Sequence, residues 1–177
     1  GGDGVSQLNG KARVFGDNLN TDYVISGKYK FKTLDMNELA KHAMEDIRPG
    51  FYDEITAGDF VVAGENLGSG SSREQAPLVL KAAGIGAVVA KSFARIFYRN
   101  CINVGLPVVE VDTSSIEEDD ELEIDIEKGT VINVTKGVTL EAKPLPPVMM
   151  KILSDGGLAA HIRKHDGFAL EDEEPSD

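Results

Sequence analysis

Apolar positions along this chain keep two rhythms, and the change between them sets out the fold. From residue 60 onward, a continuous apolar run at 60–63 reads as a buried strand, and 86–90 and 107–111 read as further strands. Between them, residues 75–83 and 94–103 carry apolar positions at helical spacing. Strands that alternate with helices imply a parallel sheet with crossover helices. Beyond an acidic run at 117–121 the rhythm becomes strict alternation at 121–126 and 130–134, with Glu127-Lys128-Gly129 between them, which predicts a hairpin with one solvated face. Residues 138–140 offer a further strand.

Upstream, residues 11–17 read as a first strand running into the polar loop Asn18-Leu19-Asn20-Thr21-Asp22. Residues 35–45 predict a helix from the spacing of Met36, Leu39, Ala40 and Ala43, with Asp35 and Glu38 as a capping box and Pro49-Gly50 as its stop. Pro146 and Pro147 introduce a helix at 148–154, and Gly156-Gly157 separates it from a short helical piece ending near Lys164. The expected fold is α/β, a parallel βαβαβ core with an additional C-terminal β-hairpin region. One domain spans 11–165, between a flexible leader at 1–10 and an acidic flexible tail at 166–177.

Composition narrows the chemistry. With 177 residues and 41% hydrophobic content the chain can bury an ordinary single-domain core. A formal net charge of −12 argues against a nucleic-acid backbone or an anionic membrane as partner, since both reward clustered cations. The acidic runs at 117–121 and 171–174 read as solvated surface. The single cysteine, Cys101, excludes an intrachain disulfide and reads as a small buried apolar residue. It also excludes an iron–sulfur cluster held by this chain alone, because such clusters take three or four thiolates. His161 and His165 are spaced i, i+4, but no third ligand stands beside them in sequence, so no metal is expected. No apolar run approaches the ~20 residues of a membrane span. The expected location is the cytoplasm, or an organellar stroma or matrix if a targeting segment has been removed.

Candidate chemistry concentrates in Gly64-Glu65-Asn66-Leu67-Gly68-Ser69-Gly70-Ser71-Ser72-Arg73-Glu74, a glycine-rich turn between a strand and a helix. Backbone N–H groups at a helix N-terminus attract anions, and Arg73 adds a two-pronged donor suited to a carboxylate or phosphate. Ser71 followed three residues later by Glu74 is also a capping-box pattern. Glycines at 64, 68 and 70 exceed what a cap requires and let the backbone approach a ligand closely. The turn is neither a dinucleotide fingerprint nor a P-loop, for Arg stands at 73 and no Lys precedes a Ser or Thr. A small carboxylate fits better than a nucleotide.

Three motifs then resemble a known family. Gly16-Asp17-Asn18-Leu19-Asn20-Thr21-Asp22, Gly68-Ser69-Gly70-Ser71-Ser72-Arg73-Glu74-Gln75-Ala76 and Ala90-Lys91-Ser92-Phe93-Ala94-Arg95-Ile96-Phe97-Tyr98-Arg99-Asn100 are similar, in that order, to the swivel domain of the aconitase superfamily. A free-standing swivel domain of this length resembles the small subunits of 3-isopropylmalate dehydratase and of homoaconitase-type relatives. The resemblance implies a swivelling β/β/α domain and a hydro-lyase that isomerises a 2-hydroxy dicarboxylic acid by removing and returning water, in leucine biosynthesis. It also implies a separate large subunit carrying a 4Fe-4S cluster, with no cofactor bound by this chain. By position, Ser71 is the implied catalytic base, and Ser72 and Arg73 hold a substrate carboxylate. Asp22 supports the active site by orienting arginines or hydroxyls, Gly70 supports it as well, Arg95 braces the loop or the subunit contact, and Gln75 stands where many relatives have His. Lys30, Phe31 and Lys32 fall where the family reads the substrate's variable group, and they offer both an apolar and a cationic face. A homoaconitate or 2,3-dimethylmalate substrate therefore stays open, as does a module that captures a carboxylate without catalysis.

Overall fold

In a computed structural model, which describes residues 7–29, 35–71 and 73–165, the strands are β1 (Gln7–Val14), β2 (Phe60–Val62), β3 (Ala87–Ala90), β4 (Val108–Glu110), β5 (Glu121–Asp125), β6 (Thr130–Asn133) and β7 (Val138–Glu141). They form one sheet in the order β4-β3-β2-β1-β5-β6-β7. β1 to β4 pair in parallel, whereas β1 with β5, β5 with β6 and β6 with β7 are antiparallel. The expected α/β architecture is observed, and its two rhythms have a physical cause. Every residue of β2 and β3 is buried, as parallel strands covered on both faces require. In β5 burial alternates, with Leu122 and Ile124 inward and Glu121 and Glu123 outward.

Helices α4 (Gln75–Ala82) and α5 (Arg95–Asn103) make the crossovers from β2 to β3 and from β3 to β4. α1 (Thr21–Val24) and α2 (Met36–Ala40) lie against α4, while α6 (Pro147–Ser154) and α7 (Leu158–Lys164) lie against α5. A single turn, α3 (Phe51–Glu54), sets Phe51 edge-on to Phe15, with ring centroids 5.2 Å apart. Among the described residues no helix is long and apolar enough to cross a membrane.

Two expectations change. The leader expected at 1–10 is shorter, because Gln7 to Gly10 already pair with β5, Gln7 opposite Asp125 and Gly10 opposite Leu122. The helix expected over 35–45 is regular only to Ala40: Met44 adopts φ 60° and its N–H bonds the carbonyl of Val24 at 3.0 Å instead of continuing the helix. Asp35 does cap it, accepting from the Glu38 N–H at 2.8 Å. The tail expected at 166–177 lies outside the described residues.

The acidic run at 117–121 is not simply solvated surface. It crosses beside β1, where Arg13 donates to Asp59 at 3.0 Å, to Glu118 at 3.1 Å and to Asp119 at 2.7 Å. Arg48 also donates to Glu118, at 2.6 Å. Asp120 is buried and accepts from Lys136 at 2.6 Å, Asn133 at 2.8 Å and the Glu117 N–H at 2.9 Å. Burial alone would raise its pKa, but these donors outweigh burial and hold the carboxyl below the usual carboxylate range. The unfolded chain, with its higher carboxyl pKa, takes up the proton first as pH falls. Asp120 therefore contributes stability that is fully present above the unfolded value of about 3.9 and lost as pH drops through the folded value. Denaturant melts between pH 6 and pH 3 should show Asp120→Asn losing less stability on acidification than wild type. Parallel pH curves for the two proteins would contradict this account.

Candidate functional site

Three loops leave the C-terminal ends of β1, β2 and β3, the edge where open parallel sheets bind ligands. They are zipped together by backbone bonds. Asn18 N–H bonds Glu65 O at 2.7 Å, Gly68 N–H bonds Leu19 O at 2.8 Å, and Thr21 N–H bonds Ser69 O at 3.0 Å. On the other side Leu67 N–H reaches Ser92 O at 3.0 Å and Ala94 N–H reaches Leu67 O at 2.9 Å. Asn18 and Asn66 sit at φ 56° and 58°, a region Asn tolerates, and their side chains bond each other at 3.1 Å. The glycine turn is thus the middle of three interlocked segments.

This zipper delivers the polar groups to one point. Asn20 caps α1 by accepting from the Asp22 N–H at 2.7 Å, which sets the direction of the Asp22 side chain. Ser71 Oγ donates to Asp22 Oδ1 at 3.0 Å, and Arg73 Nε donates to the same oxygen at 2.8 Å. The competing capping role for Ser71 is not observed: the N-cap of α4 is Glu74, with no side-chain cap. Ser71 lies upstream of that helix and faces a carboxylate. The hydroxyl is exposed, Arg73 is largely covered at 22% side-chain exposure, and Asp22 is half open at 46%. A hydroxyl, a carboxylate and a guanidinium so arranged can bind an anionic ligand and pass a proton at Oγ.

Gly70 adopts φ 92°, and a Cβ there would collide with the Asn20 side-chain amide. Gly27 lies against Arg73, a Cβ at that position falling 3.4 Å from the guanidinium. Beyond Gly27, Tyr29 is tied to Glu45 and His42, and Lys28 pairs with Glu45 at 3.3 Å. These two residues of the basic patch serve the local structure. Lys30, Phe31 and Lys32, and the second serine of the turn, Ser72, lie outside the described residues.

Arg95 opens α5 and lines a cavity of about 300 Å³ with Phe93, Tyr98, Arg99, Glu110 and Met149. It does share a face with Arg99. Among the described residues no hydrogen bond or ion pair joins Arg95 to the glycine turn. The bracing falls to its neighbour Ser92, whose Oγ accepts from the Asn66 N–H at 2.8 Å and donates to Glu65 at 2.9 Å. Sequence reading missed Asn20 and Ser92. Asn20 was findable as an Asx residue two before Asp22, whereas Ser92 carries no local signal beyond its place after a strand.

The residues present do not fit an iron–sulfur cluster. Cys101, the chain's one cysteine, is fully buried on α5 and burial pushes its thiol well above the ordinary range.

Comparison with known proteins gives the chain a family. Residues 18–113 match the aconitase C-terminal domain family, a span that takes in Asn18 to Asp22, the glycine turn and the loop after β3. The 3-isopropylmalate dehydratase small subunit 2 of Archaeoglobus fulgidus is 57% identical over 156 residues, covering 88% of this chain and 94% of that protein. The methanogen homoaconitase small subunit of Methanothermobacter thermautotrophicus is 48% identical over 157 residues, 89% of this chain and 91% of its own. A crystal structure of 3-isopropylmalate dehydratase from Methanocaldococcus jannaschii superposes with TM-score 0.87 at 42% identity, covering 93% of this chain and 98% of that one.

Proposed function

The chain belongs to the aconitase C-terminal domain family, among the small subunits of 3-isopropylmalate dehydratase, and from that membership we propose that Ser71 is its catalytic base and Arg73 its substrate-carboxylate anchor. The observation that carries the reading is the convergence of Ser71 Oγ and Arg73 Nε on one oxygen of Asp22. The reaction is the interconversion of 2- and 3-isopropylmalate through loss and return of water. A large subunit completes the enzyme and carries the 4Fe-4S cluster, for which this chain has no thiolate set. When bound, the cluster supplies Lewis acidity toward the substrate hydroxyl.

The chain's own residues handle the carbon-bound proton. A serine hydroxyl is a poor base at neutral pH, so Ser71 must be relieved of its proton as it takes the one from carbon. Asp22 Oδ1, already accepting from Ser71, is placed to hold that proton, and Arg73 offsets the negative charge that develops at Oγ. With a substrate present, the two outer nitrogens of the Arg73 guanidinium suit a carboxylate in the two-pronged manner while Nε keeps its bond to Asp22.

Asp22→Asn should lower turnover by about tenfold or more in the assembled enzyme, since an amide oxygen is a far weaker proton acceptor. The fold should survive, because a half-exposed ion pair contributes at most about 1 kcal/mol. Unchanged kcat with lowered stability would instead make Asp22 a structural residue. The assignment itself is tested by reconstituting the chain with a cluster-bearing large subunit and assaying 2-isopropylmalate, homoaconitate and 2,3-dimethylmalate separately. Preference for isopropylmalate supports the reading. Preference for a tricarboxylate would move the chain to the homoaconitase side of the family, and failure to bind any such large subunit would favour a carboxylate-binding module.

A further inference from the structure

The turn between α6 and α7 holds a cluster that the isomerase chemistry does not use. Asp155, at the C-terminal cap of α6, has a carboxylate only 1% exposed, and three side-chain nitrogens surround it. His161 Nδ1 lies 2.6 Å from Oδ2, His165 Nε2 lies 3.3 Å from the same oxygen, and Lys164 Nζ lies 2.9 Å from Oδ1. The donor atoms of Asp155, His161 and His165 all fall within 4.8 Å of one another. His165 Nε2 is shut away from solvent and makes no hydrogen bond, although Asp155 Oδ2 lies 3.3 Å from it. A buried ring nitrogen aimed into such a cluster without a partner asks for something to bond.

We propose that Asp155, His161 and His165 form a binding site for a divalent first-row metal ion of the zinc type, with water completing its coordination. Two imidazoles and one carboxylate suit zinc, whereas magnesium and calcium prefer oxygen donors throughout. Zinc bonds of about 2.0–2.2 Å in a tetrahedron put neighbouring donors roughly 3.3–3.5 Å apart. The pair Asp155 Oδ2 and His165 Nε2 already has that separation at 3.3 Å. The His161 ring needs to swing out by under about 1 Å, exchanging its proton-mediated contact for the metal. Lys164 holds the other carboxylate oxygen, which fixes Asp155 as a one-oxygen ligand and orients it. Gly157, between the ligands, packs so closely on the Asn103 carbonyl that a Cβ there would fall 2.6 Å from it. The ion would therefore fasten α7 to the end of α6 across a turn that packs on the end of α5, a structural role distant in sequence from Ser71.

The test uses the full chain without a histidine tag, first stripped with a chelator. Equilibrium dialysis against Zn²⁺ with metal analysis should give one zinc per chain, and Co²⁺ should give the visible absorption of a tetrahedral site. Zinc at about a hundredfold over its dissociation constant should raise Tm by roughly 5 °C. His165→Gln should weaken binding at least tenfold and so cut the Tm response at the same zinc concentration by about half or more, measured as the shift between its own metal-free and zinc-loaded Tm. Absence of stoichiometric zinc on the wild-type chain, or equal retention by His165→Gln, would overturn the site.

Discussion

Replacing Ser71 with Ala in the assembled enzyme is expected to cut kcat by about 10²–10⁴-fold, the range for loss of a positioned acid–base group. KM should change only a few-fold, because the proposed carboxylate anchor, Arg73, is kept. Stability should not change. Had Ser71 capped α4, its loss would cost about 1 kcal/mol, but Glu74 occupies the N-cap and Ser71 Oγ bonds Asp22 instead. The variant should also assemble with the large subunit and leave the cluster's absorption intact. Denaturant midpoints and steady-state kinetics on the same preparation separate the outcomes. Turnover within threefold of wild type would remove Ser71 from the mechanism, and a lowered midpoint with near-normal turnover would restore the capping role.

The parts of this molecule legible in the sequence are those written locally. Continuous apolar runs gave β2 and β3, because a strand buried on both faces has no polar position to interrupt it, whereas β4 at the sheet edge carries the half-buried Glu110 after Val108 and Val109. Period-two alternation gave β5 and β6 for the opposite reason. What failed was written in partners distant along the chain. Gln7 to Gly10 look like a leader until β5 arrives from residues 121–125 to pair with them. Glu118 and Asp120 look like solvated charge until Arg13, Arg48 and Lys136 are brought to them. Met44 looks helical until the Val24 carbonyl captures its N–H. At the site the same division holds. Ser71 and Arg73 were visible from the turn, and Asp22 from the family pattern. That one oxygen of Asp22 would receive both was not visible, since it depends on the register between two loops almost fifty residues apart.

The glycines of the turn admit a sharper reading than ligand approach, and Gly68→Ala tests it. Gly68 adopts φ 93°, and a Cβ there would fall on the ring of Phe97, which is fully buried. The conformation alone costs a non-glycine residue about 1–3 kcal/mol. Forcing a methyl group into a packed ring adds about 1–3 kcal/mol more. The expected loss is therefore roughly 2–6 kcal/mol, read as a lower denaturant midpoint at unchanged m-value. Gly16→Ala is the matched control: a Cβ there meets nothing within 4 Å, so its effect should stay within about 0.5 kcal/mol. Gly68→Ala with Phe97→Ala should destabilise by less than the sum of the two single changes, because truncation removes Cγ and Cδ2, two of the three Phe97 atoms on which the methyl group would fall. Equal midpoints for Gly68→Ala and Gly16→Ala would mean that the turn tolerates side chains and is glycine-rich for its ligand's sake. The expected result says instead that glycine is needed where α5 and the Asn20 loop press on the turn from either side. The same turn carries Ser71 to Asp22, so loss of its tight packing should also displace the proposed base.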